Sequence, residues 1–259
     1  MGQNVAAFSA KVASSPVPLE DSMDTWQKYA AELLGTFVLV FAGTTAIVAS
    51  LLTAAPVLVV VPLAFGLALL GGLYAFGEVS GGHFNPAVSL AMFLDRRLSS
   101  SDVVKYWIAQ FAGGILAALA LLLATSQDDV ADTATVPGSF GDGTAFLIEL
   151  LFTTIFVAVI LQASVSGRFG DSALLAIPLT LAAVHFAAIP FSGSSVNPAR
   201  TFGPDLVGNV WDGIWIYLIA PPLGAVLAVV VHRAVLSGSH RTPEAPTAEV
   251  LAEHGRPGA

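Results

Sequence analysis

Ser195-Val196-Asn197-Pro198-Ala199-Arg200, set beside Gly82-His83-Phe84-Asn85-Pro86-Ala87-Val88, decides how this chain folds. Asn is among the residues best able to cap a helix N-terminus, and Pro at the first helical position forfeits no hydrogen bond. A single Asn-Pro-Ala would mark only a capped helix. Here both copies follow an apolar span. Each opens a segment of about 11 residues, roughly 16 Å at 1.5 Å per residue, half of a ~30 Å hydrocarbon core. Each copy therefore predicts a helix that enters a membrane and stops midway.

The flanking sequence supplies the membrane protein. Only 11% of the 259 residues are Asp, Glu, Lys or Arg, whereas a soluble domain carries about a quarter. That is too little charge to cover a water-facing surface. Six apolar stretches have the ~20 residues a span needs: about Thr25–Ala49, Pro56–Glu78, Asp102–Thr125, Gly143–Ala163, Ser172–Pro190 and Trp211–Leu236. Residues 1–24 and 237–259 are rich in Pro, Ser, Ala and charge and are expected to be disordered cytoplasmic tails. The first of them has no continuous apolar run, so no cleavable signal peptide is expected. The expected fold is an all-α membrane protein, a channel domain over 25–236 with six transmembrane helices and two re-entrant half-helices.

The chain also repeats itself. Ala31-Glu32-Leu33-Leu34 matches Ile148-Glu149-Leu150-Leu151, Val61-Pro62-Leu63 matches Ile177-Pro178-Leu179, and Ala109-Gln110 with Gly113 matches Ala220-Pro221 with Gly224. Asn85 matches Asn197 at nearly the same offset. Repeat one covers 25–125 and repeat two 143–236, each with three spans and one half-span. Three is odd, so the second copy enters from the opposite face. The result is an inverted repeat around a midplane site, an architecture shared by channels and secondary transporters.

Inversion lets the half-helices meet N-terminus to N-terminus. Capping engages each Asn side-chain oxygen and leaves the amide NH2 as a free donor. Two helix ends, each with roughly half a positive charge, face one spot, and irregular backbone is tolerated there only where it lines a polar cavity. Such a cavity orients water by its oxygen and repels cations. Other classes fit less well. The net charge of −8 and the lack of a basic patch argue against a nucleic-acid partner. The absence of Cys excludes disulfides and thiolate chemistry. The five His show no paired spacing, so neither metal, cofactor nor enzymatic activity is expected.

Of ten Lys and Arg, nine, including Lys28, Arg96, Arg97, Lys105 and Arg233, fall on one side of the six crossings, which the positive-inside rule makes cytoplasmic along with both termini. The opposite loops hold Asp128, Asp129, Asp132, Asp142, Asp205 and Asp212. Arg200 stands alone among them, either as a surface partner of Asp205 or Asp212 or as a charge turned toward the outer mouth. His185 lies in an otherwise apolar span and reads equally as a satisfied core residue or a functional group. Phe65, on its residues alone, reads as core. Glu32 and Glu149, at matched positions inside spans, must find donors in the bundle interior. They serve either as a proton relay or as acceptors for a re-entrant loop. His83 either lines the inner pore or makes a loop hydrogen bond. Glu78 has no assigned role. Gly35, Gly66, Gly71, Gly72, Gly113, Gly114 and Gly224 are expected to let helices approach closely.

The two motifs, Ser80-Gly81-Gly82-His83-Phe84-Asn85-Pro86-Ala87-Val88 and Ser195-Val196-Asn197-Pro198-Ala199-Arg200, resemble the paired signatures of the aquaporin (major intrinsic protein) family. The resemblance runs over about Tyr29–Val235. It implies the hourglass fold, a homotetramer in the plasma membrane, one pore per subunit, and water as the permeant. It also implies a selectivity filter of Phe65, His185, Ser194 and Arg200, and structural roles for Glu32 and Glu149. Glycerol-conducting relatives typically carry a small residue at the position of His185 and Asp at that of Thr201, so both residues favour water. Ser194 stands where many water channels have Thr or Cys, and Asp205 where a small residue is commoner. Glycerol, ammonia or another small neutral solute is the alternative permeant, and proton-coupled transport a more distant one. The short connection over 164–171 predicts an ungated pore, and the absence of Cys predicts insensitivity to mercurials.

Overall fold

The computed structural model describes residues 25–164 and 172–236. The expected tails at 1–24 and 237–259, and nearly all of the 164–171 connection on which the ungated pore was expected, lie outside the described residues.

The six spans are α1 (Thr25–Thr53), α2 (Val57–Ser80), α4 (Ser100–Ala124), α6 (Asp142–Ala163), α7 (Ala173–Ser192) and α9 (Ile214–Val231), the last continued by a π turn over His232–Leu236. Six helices among the described residues are long and apolar enough to cross a membrane. Between them lie the half-helices α3 (Pro86–Leu94) and α8 (Pro198–Gly208), and a short α5 (Gln127–Ala131). The first span outlasts its expected end by four residues because Ser50 and Thr53 hydroxyls bond back to Ala46 and Ala49 carbonyls and the helix stops only before Pro56. The last starts at Ile214 rather than Trp211, after a turn in which Gly213 takes φ 66°. α5 was not anticipated. Its signal is the capping box in which Ser126 and Asp129 satisfy each other's backbone N–H.

Helix pairing follows the repeat. α1 packs against α2 and α4, α6 packs against α7 and α9, and α2 meets α7 where the repeats join. Each half-helix is seated on the third span of the opposite repeat, α3 on α9 and α8 on α4. Glycine makes these crossings possible. A Cβ at Gly114 or Gly203 would collide with backbone of the facing helix, and one at Gly224 would lie 2.6 Å from Leu150 O. Gly113 faces Leu33 O in the same way. Gly71 departs from this expectation, because nothing lies within 4 Å of its would-be Cβ. It sits on the outer surface of the bundle, where no helix approaches. That surface is apolar, with Leu52 77%, Leu67 65% and Leu123 90% exposed. Water would not tolerate it, but lipid would.

At one end of the bundle, Lys28 bonds Asp102 at 3.0 Å, and Tyr29 donates to the same carboxylate at 2.7 Å. Asp95, after α3, takes Arg97 at 2.7 Å and Arg233 at 3.3 Å. These pairs tie the starts of α1 and α4, and the ends of α3 and α9, into one rim.

Candidate functional site

The half-helices are capped as their sequence requires. Asn85 Oδ1 accepts from the Ala87 N–H at 2.9 Å, and Asn197 Oδ1 from the Ala199 and Arg200 N–H groups at 3.0 and 3.3 Å. Each amide also reaches across the pseudo-two-fold axis. Asn85 Nδ2 donates to Val196 O at 2.8 Å, and Asn197 Nδ2 to Phe84 O at 2.9 Å. The expected free NH2 is thus corrected. One hydrogen of each amide joins the repeats, and one remains for the lumen.

Turning the chain into these caps requires left-handed backbone. Phe84 (φ 48°) and Val196 (φ 46°) precede the two Asn, and Gly81 (87°), Gly82 (65°), Gly193 (68°) and Ser194 (54°) occupy matched places upstream. A β-branched residue such as Val196 rarely adopts φ > 0. The two buried carboxylates hold it there. Glu32 Oε1 accepts from Ser80 Oγ at 2.6 Å and the His83 N–H at 2.9 Å, while Oε2 accepts from the Phe84 N–H and from Gln110 Nε2, both at 2.7 Å. Glu149 repeats the pattern with Ser192 Oγ at 2.7 Å, Ser195 N–H at 2.8 Å and Val196 N–H at 2.7 Å. Tyr106 and Tyr217 hydroxyls donate to Ser80 O and Ser192 O at 2.7 and 2.8 Å, closing each loop. Both Glu are 0% exposed and neither lines the lumen.

The lumen is lined by Leu39, Phe65, Leu69, His83, Asn85, Phe156, Leu181, His185, Ser195, Asn197 and Arg200. One wall is apolar and the other polar. At one end Phe65 and His185 meet edge to face with centroids 4.7 Å apart, and the Arg200 guanidinium lies 5.1 Å from the Phe65 ring. Arg200 Nη1 donates to Thr133 O at 3.2 Å and Thr135 Oγ1 at 2.7 Å. Both residues belong to the strap between α5 and α6. Arg200 Nε and His185 Nε2 are buried and have no hydrogen-bond partner within the protein. Among the described residues Arg200 forms no ion pair with Asp205 or Asp212, so the surface-partner reading does not hold.

Ser194 is brought to this constriction without lining it. Its Oγ lies 3.1 Å from His185 Nδ1, fixing the ring from behind, and Ser195 is the serine that reaches the lumen. Asp205 was expected on the outer loop. It lies instead inside α8, 0% exposed, because the half-helix continues through Pro204 to Gly208. His83 lines the lumen beyond Asn85, with Nδ1 3.0 Å from Ser89 Oγ on α3. Glu78 is exposed on α2.

Sequence reasoning passed over Ser80, Ser192, Gln110, Tyr106, Tyr217, Thr133 and Thr135. The Ser and Tyr pairs sit at matched places in the repeat, a signal open to inspection. The strap threonines belong to neither repeat and have no such signal.

Six spans, two inverted half-helices and one lumen between their capped N-termini define a membrane channel rather than an enzyme. The comparisons agree. The Major intrinsic protein family model matches residues 20–232. A "Glycerol uptake facilitator protein-like 6" from Lactiplantibacillus plantarum is 40% identical over 81% of this chain and 98% of its own length. An "Aquaporin Z" from Photorhabdus laumondii is 37% identical over 82% and 98%, and mouse "Aquaporin-4" 38% over 81% and 67%. Among solved structures, the aquaglyceroporin from Plasmodium falciparum superposes with a TM-score of 0.74 at 23% identity, covering 82% of this chain and 97% of its own, a likeness of fold. The chain belongs to the major intrinsic protein family, the aquaporins.

Proposed function

We propose that this protein is a passive water channel of the plasma membrane, a homotetramer with both termini cytoplasmic, that excludes protons, ions and glycerol. The observation that carries the reading is the constriction at Phe65, His185 and Arg200. The lumen has room for water centres of about 20 Å³. About 10–15 Å³ suffices for one water, which favours water over a three-carbon polyol as the permeant. Arg200 and His185 offer unengaged nitrogens to a passing oxygen, and the fixed guanidinium opposes cations. Glu32 and Glu149 are buttresses of the re-entrant loops. Their oxygens are engaged by loop donors and face away from the lumen, which favours this role over a proton relay. The exposed leucines on the barrel fit lipid or a neighbouring subunit.

Liposomes under a sucrose shock and then a glycerol gradient, followed by stopped-flow light scattering, test the proposal. Fast water flux without glycerol entry supports it, and Arg200→Ala and His185→Gly should then admit glycerol. Rapid glycerol entry through the unaltered protein would sink it. The second reading, a glycerol channel, would then take over, as the name of the 40% identical relative suggests.

A further inference from the structure

Asp205 is a buried carboxylate that the pore as described does not use. It lies on α8, five residues after Arg200, and is 0% exposed. Its Oδ1 accepts from the Thr135 N–H at 3.1 Å, and its Oδ2 has no hydrogen-bond partner within the protein. A carboxylate in such a place is costly unless its interactions repay it, and the one hydrogen bond it makes among the described residues is with the strap. Thr135 is the junction. Its N–H goes to Asp205, while its Oγ1 accepts from Arg200 Nη1 and lies 3.1 Å from Thr201 Oγ1. The neighbouring Thr133 O takes Arg200 as well. Farther along, the Gly138 N–H bonds Phe191 O at 2.9 Å at the end of α7. The strap is therefore pinned to two of the three elements that carry the constriction, and Asp205 supplies the pin on the Arg200 side.

We propose that Asp205 is a specificity-positioning residue: by holding Thr135 it fixes the acceptors that keep the Arg200 guanidinium across the lumen, and so sets how sharply the channel tells water from glycerol. This rests on the filter reading above. The strut acts through an acceptor oxygen at position 205, not through the carboxylate charge as such. Without it the Thr135 N–H loses its partner, the strap relaxes outward, and Arg200 gains room to move.

The test compares wild type, D205A, D205N, T135V and R200A in liposomes, reading the ratio of glycerol to water permeability, with circular dichroism and tetramer elution as folding controls. One hydrogen bond's worth of positioning predicts a roughly two- to tenfold rise in that ratio for D205A and T135V. D205N retains an acceptor oxygen and should restore the wild-type ratio, an outcome that a general packing defect would not give. A wild-type ratio in D205A overturns the proposal whatever T135V does, and so does a D205N that behaves like D205A, since charge would then be the active property. If D205A fails to assemble, D205L, close to aspartate in shape but without an acceptor, takes its place on the same terms. R200A separates the two layers. If it leaves the ratio unchanged, the filter reading itself has failed. If it raises the ratio while D205A and T135V do not, only the strut has failed.

Discussion

The aromatic of the constriction owes its place to an absence. A Cβ at Gly43 would overlap the Phe65 ring, so the ring lies in the hollow that the glycine of α1 leaves. Gly43→Ala should therefore push Phe65 toward the lumen. Overfilling of this kind costs roughly 1–3 kcal/mol. Per-channel water permeability and the thermal midpoint in detergent should both fall, whereas Gly71→Ala, in open space, should change neither. An unchanged permeability in Gly43→Ala would show that Phe65 has another way to move. A simpler expectation follows from the lack of Cys. Mercuric chloride should leave water flux intact, and strong block would point to a site outside thiol chemistry.

At the scale of elements, the re-entrant loops are held by carboxylates rather than by helix packing alone. Glu32→Ala strips partners from two backbone N–H groups, the Ser80 hydroxyl and the Gln110 amide. Each buried donor so orphaned costs about 1–3 kcal/mol. Glu149→Ala strips three donors. Both variants should lose thermal stability sharply, Glu32→Ala the more, and the conservative Gln variants should fall between. Thermal unfolding followed by circular dichroism checks the order, and a reversed order would contradict the donor count. These loops were half legible in the sequence. The matched Glu and the matched Asn-Pro-Ala were visible, because repetition makes a polar residue inside a span conspicuous. The cross-axis bonds of Asn85 and Asn197 were not, because only folding brings Phe84 O and Val196 O to them. Nor was the burial of Asp205, which a charge count assigns to water by default.

For the whole molecule, the fixed charge of Arg200 guards one mouth of the lumen while both central amides point donors inward. A proton-conducting water file needs waters free to reorient, and on the proposed function the central amides would impose orientation from the middle. Vesicles loaded at one pH and diluted into another should therefore hold their gradient as long as empty vesicles do, even while water flux is fast. A dye-reported collapse would restore the transport reading of Glu32 and Glu149. The six spans and their inverted pairing were legible because apolar length and repeated offsets survive in sequence; the strap over 132–141, specific to neither repeat, was not. The reciprocal amide bonds also bear on origin. Each Asn donates to the carbonyl of the residue just before the other Asn, the mutual pattern of an isologous contact in a two-fold dimer. Two identical half-length chains, set head to head, would satisfy it unaided. Duplication and fusion then required no new join at the centre, and divergence could act elsewhere. Its mark is visible where Arg200 has Val88 as its counterpart and His185 has Leu69. Discrimination, on this view, came with divergence of the two copies, Phe65 in the first and His185 with Arg200 in the second.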